Sequence, residues 1–353
     1  RGRRGMTIGP ALPAPLDVAA RAVLNHPDQR SDWLVVVAGA LATLPDVERL
    51  AASVPLTAAR LGRGEWVPGP PGPLVTSTGD PLASPDLWRR IRLRDEPPLR
   101  VVGGPDGRVA LAAHHAAFDG LSLLQLLQLL TDSSAIAADM PPELQKGRGV
   151  QRPGMVQRLL HPADRVAPSA PLPADEARVW RSVQLRGAGI TARLARAVAD
   201  AVADHNRRRG HRWRRVGVSF GMGGKAGIGN LATYRRVDVD LEAGDDVGRA
   251  VEDALAWAGG PPLELRRAPR ALRLLGPVTN RLGDSFLISN LGRHDLGTLR
   301  DVLFFPVARG RSAVAVGAVG DKTGAGTVTL RGRDLIAEDA EALLDGLIAR
   351  LRP

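Results

Sequence analysis

The stretch Val109-Ala110-Leu111-Ala112-Ala113-His114-His115-Ala116-Ala117-Phe118-Asp119-Gly120-Leu121 decides how this chain is read. Its first five residues are apolar, as in a buried strand. Two adjacent histidines end that run, and after a short loop an aspartate opens a leucine-rich segment. Histidine is the one side chain whose ordinary pKa lies near neutrality, so a pair at the mouth of a buried strand suits a proton acceptor. The plainer reading is that His114 and His115 close a strand and Asp119 caps a helix. Neighbouring strand residues point to opposite faces, so only one of the two histidines faces a given cavity.

Just upstream, Leu99 to Val102, the turn Gly103 to Gly107 and Arg108 to His114 predict a hairpin whose second strand delivers the histidines. Downstream, Leu121 to Leu130 predicts a helix apolar on most faces, hence buried against the sheet that carries His115, with Asp119 as its N-cap. The positive end of that helix then lies beside the histidine loop.

Further out, Leu16 to Leu24 predicts a helix, Trp33 to Ala40 a strand, and Asp46 to Val54 a helix capped by Asp46. Gly62 to Pro73 reads as a loop, and Trp88 to Leu93 alternates like a half-buried strand that Pro97 and Pro98 follow. Repeated prolines between 141 and 177 (Pro141, Pro142, Pro153, Pro162, Pro168, Pro171 and Pro173) read as a crossover linker between an N-terminal lobe, 1–140, and a C-terminal lobe, 178–353. In the second lobe Val179 to Arg186, Val216 to Phe220, Tyr234 to Leu241, Phe286 to Asn290, Val302 to Val307, Ala313 to Val319 and Gly326 to Leu330 predict strands. Thr191 to His205, with Thr191 as cap, Asp245 to Ala258 and Ala337 to Leu351 predict helices. Strands and helices interleave in both lobes, an α/β or α+β layering with two sheets.

The chain has 353 residues, a length that suggests about two domains, and 44% hydrophobic residues, ample for burying cores. Its formal net charge of +11 fits an anionic partner such as nucleic acid, a phosphorylated cofactor, an acidic carrier protein or a membrane surface. The charge is mostly dispersed arginine with only three lysines; dense clusters occur at Arg1, Arg3 and Arg4 and in the run Arg207 to Arg215. Aromatic residues at 3% weaken any reading based on base stacking, so a basic nucleic-acid-binding protein is a lesser alternative. Absence of cysteine excludes disulfides, thiolate metal sites and a cysteine nucleophile. The apolar run Leu34 to Leu44 is too short to span a bilayer and Arg1 to Met6 is not followed by a signal-type apolar region, so the expectation is a soluble cytoplasmic protein.

Other chemistries find little support. The glycine-rich stretch Gly221 to Asn230 contains Lys225 but lacks the order of a nucleotide P-loop. A Gly-x-Ser-x-Gly elbow does not occur. No second His and carboxylate cluster accompanies His114 and His115, so no metal site is expected.

His114-His115-Ala116-Ala117-Phe118-Asp119-Gly120 is similar to the His-His-x-x-x-Asp-Gly motif of the superfamily that includes nonribosomal peptide condensation domains, chloramphenicol acetyltransferases, plant acyl-CoA acyltransferases, wax ester synthases and polyketide-associated acyltransferases. Gly229-Asn230 before an alternating strand and Ile288-Ser289-Asn290-Leu291-Gly292 resemble that superfamily's second lobe. Chloramphenicol acetyltransferases carry the motif near the C-terminus, and the Asp-Phe-Gly-Trp-Gly motif of the plant enzymes is missing. The resemblance is thus to the condensation-domain, wax-ester-synthase and polyketide-associated branch.

That resemblance implies two chloramphenicol-acetyltransferase-like sandwich lobes with a tunnel between them. It implies a standalone acyltransferase of bacterial specialised metabolism, moving an acyl group from a CoA or carrier-protein thioester to a hydroxyl or amine. His115 would be the general base and His114 would point into the fold. Asp119 would be structural, through an ion pair with an arginine, and Gly120 would permit a backbone turn. Ser289 and Asn290 would line the tunnel or donate to an oxyanion. No permanently bound cofactor is expected: the donor is acyl-CoA or the phosphopantetheine arm of a carrier protein. The alternative within the superfamily is a catalytically degenerate member that only binds a carrier protein.

Overall fold

The structure, a computed structural model, describes residues 8–26, 28, 31–42, 45–131, 155–169, 176–222, 227–256, 283–309 and 314–351. Its strands are β1 (Ala14–Pro15), β2 (Leu34–Ala40), β3 (Arg60–Leu61), β4 (Glu65–Val67), β5 (Leu74–Thr76), β6 (Leu99–Gly103) and β7 (Arg108–His114). They continue with β8 (Ala177–Gln184), β9 (Arg215–Met222), β10 (Thr233–Asp240), β11 (Phe286–His294), β12 (Arg300–Phe305), β13 (Val314–Asp321) and β14 (Ala325–Gly332). The α-helices are α1 (Val18–Leu24), α2 (Val47–Ser53), α3 (Pro85–Trp88), α4 (Gly120–Leu129), α5 (Met155–Leu160), α6 (Ile190–Arg208), α7 (Val247–Ala256) and α8 (Ala337–Leu351).

The strands form a five-stranded sheet in the order β12-β2-β7-β6-β5, a six-stranded sheet in the order β10-β9-β11-β13-β14-β8, and a small sheet β1-β4-β3. The third sheet corrects the expectation of two. It arises inside the presumed loop Gly62 to Pro73, where Trp66 is buried and pairs with Ala14 and Leu61.

The hairpin β6–β7 forms as the sequence predicts, with Gly103 opposite Val109 and Gly107 at φ 69°, a conformation that favours glycine. β2 pairs with β7 so that Leu34 lies opposite His114. One face of this sheet buries Val35, Val37, Leu111 and Ala113 under the leucines of α4; the other buries Val36, Ala38, Ala110 and Ala112. The six-stranded sheet packs one face against α6, α7 and α8 through Val198, Val251 and Leu344.

Two further expectations give way to packing. Trp88 to Leu93 is not a strand. Pro85 starts the short α3, and Leu87, Ile91 and Leu93 are each buried in the core, while Arg100 Nη1 donates to the carbonyls of Asp86 and Arg89 at 2.6 and 2.7 Å. Thr191 does not cap α6. That position belongs to Gly189 at φ 67°, and the Thr191 hydroxyl accepts Asn290 Nδ2 at 3.2 Å. In the proline-rich segment, 141–154 and 170–175 lie outside the described residues, as do Arg1, Arg3, Arg4 and positions 223–226 of the glycine-rich stretch. Between the two proline-rich gaps, Ala167 is held by Asn206 and His205 of α6, at 2.9 Å each.

What joins the lobes is β12. Although it follows the second-lobe strand β11, it pairs antiparallel with β2, Leu303 opposite Ala38 and Phe304 opposite Val37. Alternate residues of β14 fasten it from the six-stranded sheet: Thr327 Oγ1 donates to the Val302 carbonyl at 2.6 Å, Thr329 Oγ1 to that of Phe304, and Arg331 Nη1 to that of Leu34 on β2 at 2.6 Å. The approach is so close that a Cβ on Gly317 of β13 would lie 2.1 Å from the Phe304 carbonyl oxygen. Gly317→Ala is therefore expected to destabilise the chain by about 1–3 kcal/mol or somewhat more, because the obstacle is backbone. Chemical denaturation checks this, and an unchanged midpoint would show that β12 does not sit there.

Candidate active site

His115 follows directly on β7, its amide donating to the Trp33 carbonyl at 2.7 Å, so the β2–β7 pairing carries on to the histidine. The pleat sends the two histidines apart. His114 Nδ1 accepts the Ala116 amide at 3.1 Å, which turns the loop back on itself, and burial, with His115 and Arg90 nearby, pushes its pKa down to about 3. His114 is thus a neutral structural acceptor.

The hydrogen bonds of the His115 ring fix its tautomer. Nδ1 lies 3.0 Å from the Phe118 carbonyl oxygen, which only accepts, so Nδ1 carries the proton. Nε2 is then the basic nitrogen, and the Tyr234 hydroxyl, 2.7 Å away, donates to it. Burial holds the pKa of His115 below its ordinary 6.5, opposed by the Phe118 carbonyl and Asp119 and assisted by Arg309. The imidazole is therefore neutral at pH 7. Trp33 stacks on it, ring centroids 6.4 Å apart, with its own φ at 53°, an uncommon conformation for a bulky residue that the surrounding packing must hold.

Asp119 caps α4 as expected, Oδ1 accepting the Ser122 amide at 2.8 Å, but its expected arginine is absent among the described residues. Oδ2 instead accepts the Leu231 amide at 2.9 Å. Asp119 thereby ties α4 to the second lobe, and three more bonds repeat the tie: the Asp119 amide to the Gly229 carbonyl at 3.1 Å, and Ser122 Oγ to the Gly229 carbonyl at 2.6 Å and amide at 3.0 Å. Gly229 sits at φ 153°, a conformation that side chains rarely adopt. Gly120 also has a reason other than the expected one. Its φ is not positive; rather, a Cβ there would lie 2.5 Å from the Phe304 ring and 2.9 Å from Leu291.

These elements enclose a cavity of about 40 Å³ lined by His115, Asp119, Tyr234, Ser289, Asn290 and Phe304, among others. Ser289 and Asn290 thus both reach it. Asn290 is occupied, its amide nitrogen on Thr191 and its oxygen on the Gly292 amide at 3.0 Å. Ser289 Oγ has no hydrogen-bond partner among the described residues and stands across from Gly221, where a Cβ would be 3.2 Å away. A larger groove of about 1120 Å³, lined by Ser182, Arg186, His294, Arg300 and Lys322 among others, includes none of these residues.

Sequence reasoning missed Tyr234, the one tyrosine of the chain. It stands on β10 opposite Gly221, and burial raises its pKa to about 12. Arg309 lies over its ring, 5.4 Å from the centroid, and pairs with Asp284 at 3.1 Å. Although burial alone would raise the Asp284 carboxyl, Arg236 and Arg309 hold it below the usual range. Its singularity in the composition was the available signal.

The basic run Arg207 to Arg215 is largely met within the chain: Arg207 pairs with Asp204, Arg209 with Asp339, Arg212 with Asp164, Arg214 with Glu242 and Arg215 with Asp240. Among the described residues no three histidine or carboxylate side chains gather as metal ligands, and no helix is long and apolar enough to cross a membrane.

No family model matches the chain, and no curated protein matches it in sequence. Solved structures match its fold. The cyclization-docking bidomain of EpoB from Sorangium cellulosum aligns with a TM-score of 0.59 at 12% identity, over 98% of this chain and 86% of that one. The starter condensation domain of rhizomide synthetase RzmA, a mutant in complex with C8-CoA and Leu-SNAC, aligns at 0.58 and 11% identity, over 96% and 93%. The epimerization domain from the third module of tyrocidine synthetase B aligns at 0.56 and 14% identity, over 99% and 96%.

Proposed function

We propose that this chain, which has the two-lobed fold of the condensation-domain superfamily, transfers an acyl group from a CoA or carrier-protein thioester to a hydroxyl or amine, with His115 as the base. The observation that carries this is the His115 ring: neutral, held through Nδ1–H on the Phe118 carbonyl, with Nε2 on the Tyr234 hydroxyl, both residues lining one cavity. A base so held is neutral and keeps Nε2 as its basic nitrogen, on the side of Tyr234.

As the acceptor attacks the thioester carbonyl, it loses its proton, His115 Nε2 gains one, and the carbonyl electrons move onto oxygen. Collapse restores the carbonyl and breaks the C–S bond, and the departing thiolate takes the proton back. Ser289 Oγ, with no hydrogen-bond partner among the described residues, is placed to donate to the oxyanion. The solved neighbour holding C8-CoA and Leu-SNAC supports an acyl thioester as donor and a second thioester-linked substrate as acceptor. Asp119 and Gly120 serve the site by fastening α4 against the second lobe and letting β12 approach. The same reading places the protein in the cytoplasm of a bacterium, in specialised metabolism, and divides it at 1–140, 141–177 and 178–353.

A second reading, a member that only binds a carrier protein, is favoured by the Tyr234 hydroxyl already on Nε2. Incubation with acyl-CoAs of two to sixteen carbons, acyl carrier proteins and a panel of amines and alcohols, followed by mass spectrometry, separates the two. Acylated product supports transfer; carrier binding with no product supports the second reading.

A further inference from the structure

Nε2 of a neutral Nδ1–H imidazole has one lone pair, and here the Tyr234 hydroxyl takes it at 2.7 Å. The ring is not free to offer another nitrogen, because Nδ1 is committed to Phe118 and one face to Trp33. A substrate proton therefore has no direct way to His115 while Tyr234 is in place.

The phenol oxygen, by contrast, keeps acceptor capacity after donating to Nε2 and makes no other hydrogen bond among the described residues. Tyr234 lines the same cavity as His115 and Ser289. Nor is it a loose plug: β10 fixes it opposite Gly221, and Arg309 sits over the ring, itself anchored by Asp284.

We propose that Tyr234 is a second catalytic residue, relaying the proton of the attacking hydroxyl or amine to His115 Nε2. This rests on the acyl-transfer reading above. In the step, the nucleophile's electron pair forms the bond to the thioester carbon and its proton moves to the phenol oxygen, while the phenol proton moves to Nε2. On collapse the C–S bond breaks and the same two transfers run in reverse to the departing thiolate. Burial keeps the phenol neutral at rest, and in the relay its oxygen gains one proton as it gives up the other, so no free tyrosinate forms.

The composition makes the test direct. With no cysteine in the chain, a thiol reagent reports only released CoA, and with one tyrosine, fluorotyrosine incorporated throughout marks position 234 alone. The full chain is assayed with the acyl-CoA and acceptor that it turns over fastest in the survey above. Tyr234→Phe is expected to lower the rate about 10²-fold or more. In mixtures of H₂O and D₂O the wild-type rate is expected to curve with deuterium fraction, as two moving protons require, and the residual rate of Tyr234→Phe to fall on a straight line. Fluorotyrosine chains, which keep the hydroxyl and the fold, are expected to change rate in step with the acidity of the phenol.

A Tyr234→Phe rate at or above wild type, or fluorotyrosine chains indifferent to phenol acidity, overturns the relay; the fluorotyrosine series decides the matter if Tyr234→Phe does not fold. A slow His115→Ala beside a fast Tyr234→Phe removes the relay alone. A His115→Ala rate equal to wild type removes His115 as the base and the relay with it, and no acylated product from any acyl-CoA or acyl carrier protein removes the acyl-transfer reading itself.

Discussion

His115→Ala is expected to lower acyl transfer by about 10²–10⁴-fold, the range that a positioned general base contributes. The loss should appear in kcat more than in KM, because the imidazole acts on a proton in flight and is not the chief contact for the acyl chain. Alanine also leaves the Phe118 carbonyl and the Tyr234 hydroxyl buried without their ring partner, at about 1–3 kcal/mol for each such group. Some stability will therefore fall with the rate. His115→Gln separates the two effects: its amide offers a donor and an acceptor in roughly the same place, yet cannot hold a proton at neutral pH. Stability near wild type with a rate as low as that of His115→Ala is the expected pattern. A His115→Gln enzyme as fast as wild type would mean that hydrogen bonding alone suffices.

Asp119→Ala carries a large expected effect on stability. Its two carboxylate oxygens hold the Ser122 amide at the start of α4 and the Leu231 amide in the second lobe. Removing the cap costs about 1 kcal/mol. Leaving the half-buried Leu231 amide unpaired adds up to about 1–3 kcal/mol. Together these give about 2–4 kcal/mol, visible as a lowered midpoint in urea or guanidinium. Activity should fall as well, since the tie positions β10, which carries Tyr234, against the histidine loop. Asp119→Asn keeps an oxygen for one amide and sets an NH₂ against the other, so its loss should be intermediate. A wild-type midpoint for Asp119→Ala would contradict the account of the lobe tie.

Much of this site could be read from residues adjacent in sequence. The β6–β7 hairpin, the end of β7 at the histidines and the capping of α4 by Asp119 are local events, set by strand alternation, a glycine turn and the demand of free helix amides for an acceptor. The remainder depends on distant segments. Tyr234 meets His115 across 119 positions of sequence because β10 pairs with β9 in one register, and nothing near residue 115 encodes that register. Val302 to Val307 looks like any strand of the second lobe, yet β12 leaves for β2 because Thr327, Thr329 and Arg331 capture carbonyls on β12 and β2. The reason for Gly120 was hidden likewise: its neighbour is the ring of Phe304, brought there by the same crossing. Even the arginine expected for Asp119 was replaced by backbone from another lobe, and a backbone donor leaves no mark on composition.

The most direct test of the central claim is the protonation state of His115 itself. In uniformly ¹⁵N-labelled protein the ring nitrogens of His115, assigned by their loss in His115→Gln, are expected to show a neutral Nδ1–H tautomer at pH 7. Acid titration is expected to protonate Nε2 only below the ordinary histidine pKa of 6.5, because burial disfavours the imidazolium. An Nε2–H tautomer, or an imidazolium already present at pH 7, would contradict the assignment of His115 as the base.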